Sequence, residues 1–234
     1  MTTSRGFDSV ETWVFDLDNT LYPPSCRLFE LIDLRMTQFI GERFGLDPVE
    51  ARRLQKHYYR EHGTTLRGLM TEHGIDPHEF MDFVHDVDHG RLVATPELAA
   101  AIGALRGKRY ILTNGSVRHA EGVARSLGID HLFDGVFDVA ASNFVPKPER
   151  VVYELFLERF GVEPTRAAMF EDMAHNLLVP YELGMTTVLV TPRDGDVPDR
   201  LMRASDGEKG AHVDHLTDDL PGFLAALAPA APRA

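Results

Sequence analysis

Short apolar runs that recur along the chain, each closed by polar residues and set apart by helix-length segments, do most to limit its fold. They read WVFD from Trp13, KRYILTN at 108 to 114, GVFDVA at 135 to 140, AAMFED at 167 to 172 and TTVLVT at 186 to 191. Runs this short and this continuously apolar are strands covered on both faces, as in a parallel sheet, rather than half-exposed strands that alternate. Helical segments lie between them, ending near Arg106 and spanning 116 to 127, Pro148 to Phe160 and Ala174 to Leu183. Repeated βα units of this kind predict an α/β doubly wound parallel sheet with helices on both sides.

The stretch between the first two runs departs from that pattern. Leu28, Leu31, Ile32, Met36, Phe39 and Ile40 recur at spacings of three and four, which is helical periodicity. Further helices are predicted over 48 to 60, 64 to 72 and 77 to 87, introduced by Asp-Pro or Gly-Thr punctuation. The expected organisation is an α/β core of residues 1–21 and 94–219 with an all-helical cap, 22–93, inserted after the first strand. Residues 220–234 are expected to hold one short helix and then a partly disordered Ala-Pro end.

Acidic residues outnumber basic ones 36 to 24, and the net charge of -12 opposes binding to nucleic acid polymers or to anionic membranes. A small-molecule partner is expected instead. Cys26 is the single cysteine, which excludes an intramolecular disulfide and a cysteine-rich metal site and fits a cytoplasmic setting. Asp8 and Glu11 interrupt any signal-like apolar stretch, and no run of about 18 apolar residues is long enough to span a membrane.

The first strand runs straight into WVFDLDNTLYPP, with only Leu17 between Asp16 and Asp18. On an extended segment alternate side chains share one side, so both carboxylates are expected to face one spot, although Asp and Asn after a strand also serve as turn and cap residues. Other strand ends carry Thr113, Asn114 and Gly115, then Glu171 and Asp172, while Lys147 stands between two prolines. In a parallel sheet these ends converge on one edge. Like charges about 4 Å apart cost on the order of 4 kcal/mol at an effective dielectric of 20. Asp16, Asp18, Glu171 and Asp172 therefore call for a hard, oxygen-seeking cation such as Mg²⁺ and for the ammonium of Lys147. A proton on Asp18 would bring such a site near neutrality, ready for a phosphoryl group.

DLDNT at 16 to 20, TN at 113 to 114, KP at 147 to 148 and ED at 171 to 172 followed by Asn176 resemble the four ordered motifs of the haloacid dehalogenase superfamily. The resemblance implies that Asp16 is a nucleophile forming an aspartyl-phosphate and that Asp18 is the acid and base of the two half-reactions. It implies that Thr113 and the amides of Asn114 and Gly115 bind the transferring oxygens, with Lys147 neutralising them. Mg²⁺ would be held by the Asp16 carboxylate, the Asp18 main-chain carbonyl and Asp172, with Glu171 acting through water. Dehalogenases lack an aspartate two residues after the nucleophile, which turns the reading toward phosphatases.

DNTLYPP, YYREHGTTLRGLM at 58 to 70 and TNGSVRHAEGVARSLGI at 113 to 129 resemble the pyrimidine 5′-nucleotidase branch, whose members remove phosphate from pyrimidine nucleoside monophosphates. Tyr59, His62, Thr64 and Arg67 then become candidates to meet the substrate from the cap. Lys56, which an imine-forming phosphonate hydrolase would need, is expected to be solvated. His85 and His89, four apart, are read as solvated or capping residues rather than a metal pair, and His119 as part of the branch pattern or as helix packing. The competing readings are a sugar-phosphate phosphatase or phosphomutase with the same core chemistry, and a non-catalytic phosphate- or partner-binding protein.

Overall fold

The computed structural model describes residues 4–193 and 210–227. Its strands are β1 (Thr12–Phe15), β2 (Lys108–Leu112), β3 (Gly135–Phe137), β4 (Ala167–Glu171), β5 (Thr186–Val190) and β6 (His215–Thr217). They form one parallel sheet in the order β3-β2-β1-β4-β5-β6. β1 lies in the middle, with Trp13 in register with Arg109 on one side and Ala168 on the other.

Five helices lie between β1 and β2, the first four being α1 (Leu28–Phe44), α2 (Pro48–His62), α3 (Thr65–His73) and α4 (Pro77–Val84). The remaining helices are α5 (Pro96–Ala104), α6 (Val117–Ser126), α7 (Arg150–Phe160), α8 (Leu178–Leu183) and α9 (Leu220–Leu227). Alternation along the strands sends Phe15, Ile111, Phe170 and Val188 to one face, where α5, α6 and α9 cover them. Val14, Leu112, Met169 and Leu189 go to the other, under α7 and the segment around Leu177. A sheet buried on both faces explains why its strands read as unbroken apolar runs. Among the described residues no helix is long and apolar enough to cross a membrane.

Helices α1 to α4 build a third apolar cluster around Ile32, Phe39, Tyr58, Leu69 and Phe80. Asp47 accepts from the amides of Val49 and Glu50 to start α2, and Thr64 and Asp76 cap α3 and α4 in the same way. Gly68 lets α3 press on α2, because a Cβ there would lie 2.5 Å from the Cβ of Tyr58.

Several elements differ from the sequence reading. β6 is unforeseen: three residues long, with Leu216 half exposed, it offers no apolar run to read. α4 stops at Val84, short of 87, with His85 as its closing residue. α9 is the short helix expected in the tail, but its buried Leu220 and Leu224 belong to the core cluster, so the packed unit runs past residue 219. The Ala-Pro end at 228–234 lies outside the described residues.

Candidate active site

The order of the sheet reverses at β1, so the chain leaves β1 and β4 toward opposite faces and opens a crevice beyond their carboxyl ends. Asp16, Thr113, Glu171 and Asp172 stand there, one position or less beyond the ends of β1, β2 and β4. Lys147 arrives from the loop between β3 and α7. Its Nζ donates to Asp16 Oδ1 at 2.6 Å, to Glu171 Oε1 at 2.8 Å and to the Leu112 carbonyl at 3.0 Å, with the residue only 4% exposed. The Asn114 side chain fixes that loop, accepting from the Lys147 amide at 2.7 Å and donating to the Lys147 carbonyl at 3.3 Å. Thr20 Oγ1 donates to Asp16 Oδ2 at 3.1 Å, so both oxygens of Asp16 are oriented.

Glu171 is bound on each oxygen, Oε1 also by Asn176 Nδ2 at 2.6 Å and Oε2 by the Met173 amide at 2.8 Å. Burial pushes its carboxyl up, but the charge and hydrogen bond of Lys147 outweigh burial and hold it below the usual range. Burial pushes Asp16 up to about 7, with Glu171 adding to the rise and Lys147 opposing it. Asp172 is driven well above the ordinary value by burial and then by the charges of Glu171 and Asp16. Burial works against the Lys147 ammonium, yet Asp16 and Glu171 raise it above the ordinary lysine value. One ammonium thus serves three buried acids, and the cluster makes up the shortfall by retaining protons.

Ligand oxygens of Asp16, Glu171 and Asp172 all lie within 4.8 Å of one another. A buried set of carboxylate oxygens that otherwise keeps protons fits a hard divalent cation such as Mg²⁺. Glu171 accepts two bonds on Oε1 and one on Oε2, against a single bond on each oxygen of Asp16, so Asp16 and Asp172 are the carboxylates best placed to touch such an ion, with Glu171 behind them.

Asp18 behaves differently from the sequence reading. β1 ends at Phe15 and the chain turns through residues 18–21, with Asn19 at φ 62, a left-handed conformation that Asn tolerates. Strand alternation therefore stops before Asp18, and its carboxylate does not share the partners of Asp16. Asp18 Oδ1 instead accepts from Tyr22 Oη at 2.5 Å and faces His119 Nε2 at 2.8 Å. Burial pushes Asp18 up, but the His119 imidazole and the bonds from His119 and Tyr22 bring it down to about 2. The surroundings thus favour a different proton distribution from the one expected: His119 and Tyr22 favour the ionised form of Asp18, while burial favours the protonated forms of Asp16 and Asp172.

Asp16 and Asp18 open into a cavity roofed by the helical segment. Thr113 Oγ1 accepts from the Gly115 amide at 2.9 Å. At Gly115 a Cβ would come within 3.2 Å of Thr113 Oγ1 and 3.8 Å of Asp18 Oδ2, so glycine keeps the cavity floor clear. Tyr59 and Thr64 line the cavity. His62 and Arg67 are directed elsewhere: His62 pairs with Glu72 at 2.8 Å, and Arg67 reaches Glu149 at 2.9 Å in an exposed bridge. The direction of a side chain around a helix depends on how the helix docks, which the sequence does not state.

The cavity roof also holds a group the sequence reading missed. Buried Asp33 accepts from Gln55 Nε2 at 2.6 Å, Lys56 Nζ at 2.7 Å and Arg52 at 2.8 Å. Lys56 is thus engaged with a buried acid on the cavity wall rather than simply solvated. An acid at 33, with Thr37 and Ile40 on the same helical stripe, was the available signal. Thr20 and Tyr22 were visible as DNTLY but carried no assigned role. His85, expected to be solvated or capping, does close α4 but is packed rather than solvated: it stacks on His119 and its Nδ1 lies 2.9 Å from Ser116 Oγ.

The family model described as haloacid dehalogenase-like hydrolase matches residues 10–178 of the chain. Phosphate metabolism protein 8 of Saccharomyces cerevisiae is 28% identical over 195 residues, covering 76% of this chain and 61% of that protein. The match thus spans less than two thirds of that curated relative. Among solved structures, a HAD phosphatase from Thermococcus onnurineus superposes with a TM-score of 0.61 at 20% identity, covering 93% of this chain and 98% of that one. The L-2-haloacid dehalogenase of Xanthobacter autotrophicus does so with a TM-score of 0.60 at 17% identity, covering 95% and 100%. At such identities these likenesses show a common fold.

Proposed function

The chain belongs to the haloacid dehalogenase-like hydrolase family, and from that premise we propose that it is a Mg²⁺-dependent phosphatase acting on a small phosphomonoester, a pyrimidine nucleoside 5′-monophosphate first among candidates. The observation that carries the reading is Asp18. A departing halide needs no proton, whereas an alkoxide leaving phosphorus does, and a carboxylate held by Tyr22 and His119 beside the nucleophile is what the second reaction requires.

A phosphomonoester that enters as its monoanion first gives its proton to Asp18, which is ionised in the free site; Asp16 then attacks phosphorus as the phosphorus–oxygen bond to the leaving group breaks, which forms an aspartyl-phosphate and an alkoxide that takes that proton from Asp18. In the second half Asp18 takes a proton from water as the water oxygen attacks phosphorus, releasing inorganic phosphate and restoring Asp16. Thr20 and Lys147 orient the two Asp16 oxygens, and Lys147 also offsets the charge of the phosphoryl oxygens. Thr113 and the Gly115 amide, bound to each other in the free site, line the same cavity and in this reading bind those oxygens. A divalent cation held by Asp16 and Asp172 would keep Asp16 ionised and share the phosphoryl charge.

Residues 22–93 act in this reading as a cap that excludes water from the crevice. Apolar Phe29, Met36 and Phe80 on the cavity wall suit a flat base better than a hydroxyl-rich sugar, and the Asp33–Lys56–Gln55 group offers a polar end for its edge. The name of the yeast relative, a phosphate metabolism protein, agrees with a reaction on a phosphate compound. A phosphate-release screen with Mg²⁺ over nucleoside monophosphates and sugar phosphates tests the reading, with Asp16→Asn as control. Turnover highest on UMP or CMP supports it, and a preference for sugar phosphates or their isomerisation contradicts it.

A further inference from the structure

Histidines from two parts of the molecule meet where the helical segment rejoins the core. His119, on α6, has a fully enclosed side chain and donates from Nε2 to Asp18 Oδ1 at 2.8 Å. His85, the residue that closes α4, lies face to face with it, the ring centroids 4.5 Å apart and the planes 9° from parallel. His85 Nδ1 is also 2.9 Å from Ser116 Oγ, the side chain that caps α6. His89 closes the group at 5.6 Å from His119. The other ring nitrogen of His119, Nδ1, is buried without a hydrogen-bond partner. An enclosed imidazole with one unmatched nitrogen is a poorer filler than leucine, so packing alone does not account for it. What the histidine gains is the bond to Asp18.

We propose that His119 is a positioning residue for Asp18, seated by His85 so that the aim of the proton-transferring carboxylate depends on where α4 lies. The inference rests on the reading of Asp18 as acid and base. Tyr22 and His119 both bind Oδ1, which leaves Oδ2, on the Gly115 side, as the oxygen turned toward a departing alkoxide. His85 belongs to the segment over the cavity and His119 to the core. A swing of α4 therefore moves one face of the imidazole stack, and the orientation of Asp18 and the position of the roof are coupled through a single contact.

The test compares kcat/KM, which reports on the steps through departure of the leaving group, for p-nitrophenyl phosphate and for the alkyl monoester that the screen ranks first, starting with UMP. Nitrophenolate leaves without a proton, whereas the 5′-oxygen of UMP needs one. His119→Leu is expected to lower kcat/KM for UMP about 10- to 100-fold and for p-nitrophenyl phosphate less than about 3-fold. His119→Gln, which restores a donor near Nε2, should recover most of the loss. His85→Ala, which leaves that donor in place, should show a smaller loss with the same selectivity. Equal losses on both esters, or none, would overturn the proposal, and the same criterion applied to His85→Ala decides the matter should His119→Leu not fold. Asp18→Asn, run on the same pair, separates the two layers. A selective loss there beside an unselective one at His119 overturns the positioning role alone, while an unselective loss at Asp18 removes the underlying reading and the proposal together.

Discussion

Lys147 Nζ donates to Asp16 Oδ1 at 2.6 Å across 131 positions of the chain, and the same ammonium bonds Glu171 and the Leu112 carbonyl. One side chain thereby joins the ends of β1, β2 and β4 at the crevice. It is the charge that makes a buried acid cluster tolerable and, in the proposed reaction, the group that would meet a phosphoryl oxygen.

Lys147→Met should therefore reduce both activity and stability. Removing one partner of a buried charge cluster costs about 3–5 kcal/mol when the remaining charge stays unpaired. Asp16 and Glu171 can take up protons instead, so the loss of unfolding free energy should be smaller at pH 5 than at pH 8. Urea titrations at the two values check the stability, and steady-state kcat should fall by about 10³-fold.

Cation binding should be proton-linked, with a sign set by Asp16 and Asp172. Asp16 titrates near 7 instead of its ordinary 3.8, and Asp172 also lies above its ordinary value. A buried acid with a raised folded value favours the folded state while protonated. Its contribution is complete below about pH 4 and is lost as pH rises through 7. A cation must displace those protons, so Mg²⁺ affinity and the Mg²⁺-induced rise in Tm should both increase from pH 5 to pH 8. His85, lowered to about 3 by burial and by His119, has the opposite effect on stability. Its effect is common to both forms and cancels in the difference between Mg²⁺-loaded and EDTA-treated protein. Calorimetry in buffers of different ionisation enthalpy should show proton release on Mg²⁺ binding; an affinity independent of pH would contradict this account of the site.

The cap residues divide by where they point. Lys56→Met, on the cavity wall beside Asp33, should raise KM for UMP about 10-fold while changing p-nitrophenyl phosphate hydrolysis less than about 2-fold. His62→Ala and Arg67→Ala should leave KM for both within about 2-fold, because these residues pair with Glu72 and Glu149 and neither they nor their partners line the cavity. A larger effect from Arg67 than from Lys56 would reverse the assignment.

Much of this arrangement was legible in the chain because burial leaves a plain trace. Ala167–Glu171 and Thr186–Val190 are buried at every position, with apolar runs over 167–170 and 188–190, and polar residues at such strand ends mark the crevice. β6 left no such trace, since its three residues include a half-exposed leucine. The alternation that placed Asp16 did not extend to Asp18, because the chain leaves the strand and enters the turn around Asn19. His62 and Arg67 sit at the positions the sequence singled out, but helix docking turns them from the cavity, while Asp33 faces it from a stripe that otherwise reads as apolar. The charge states were the least legible of all. They depend on how many acids one lysine must serve, a number that exists only after folding.

The most direct test of the central claim is to mix the protein with Mg²⁺ and its best nucleoside monophosphate, quench within one turnover and map any phosphoryl adduct by mass spectrometry. The account predicts an adduct on Asp16, and for Asp16→Asn neither adduct nor phosphate release from a protein that remains folded. Phosphate release that persists at the wild-type rate in Asp16→Asn, or an adduct on another residue, would contradict it.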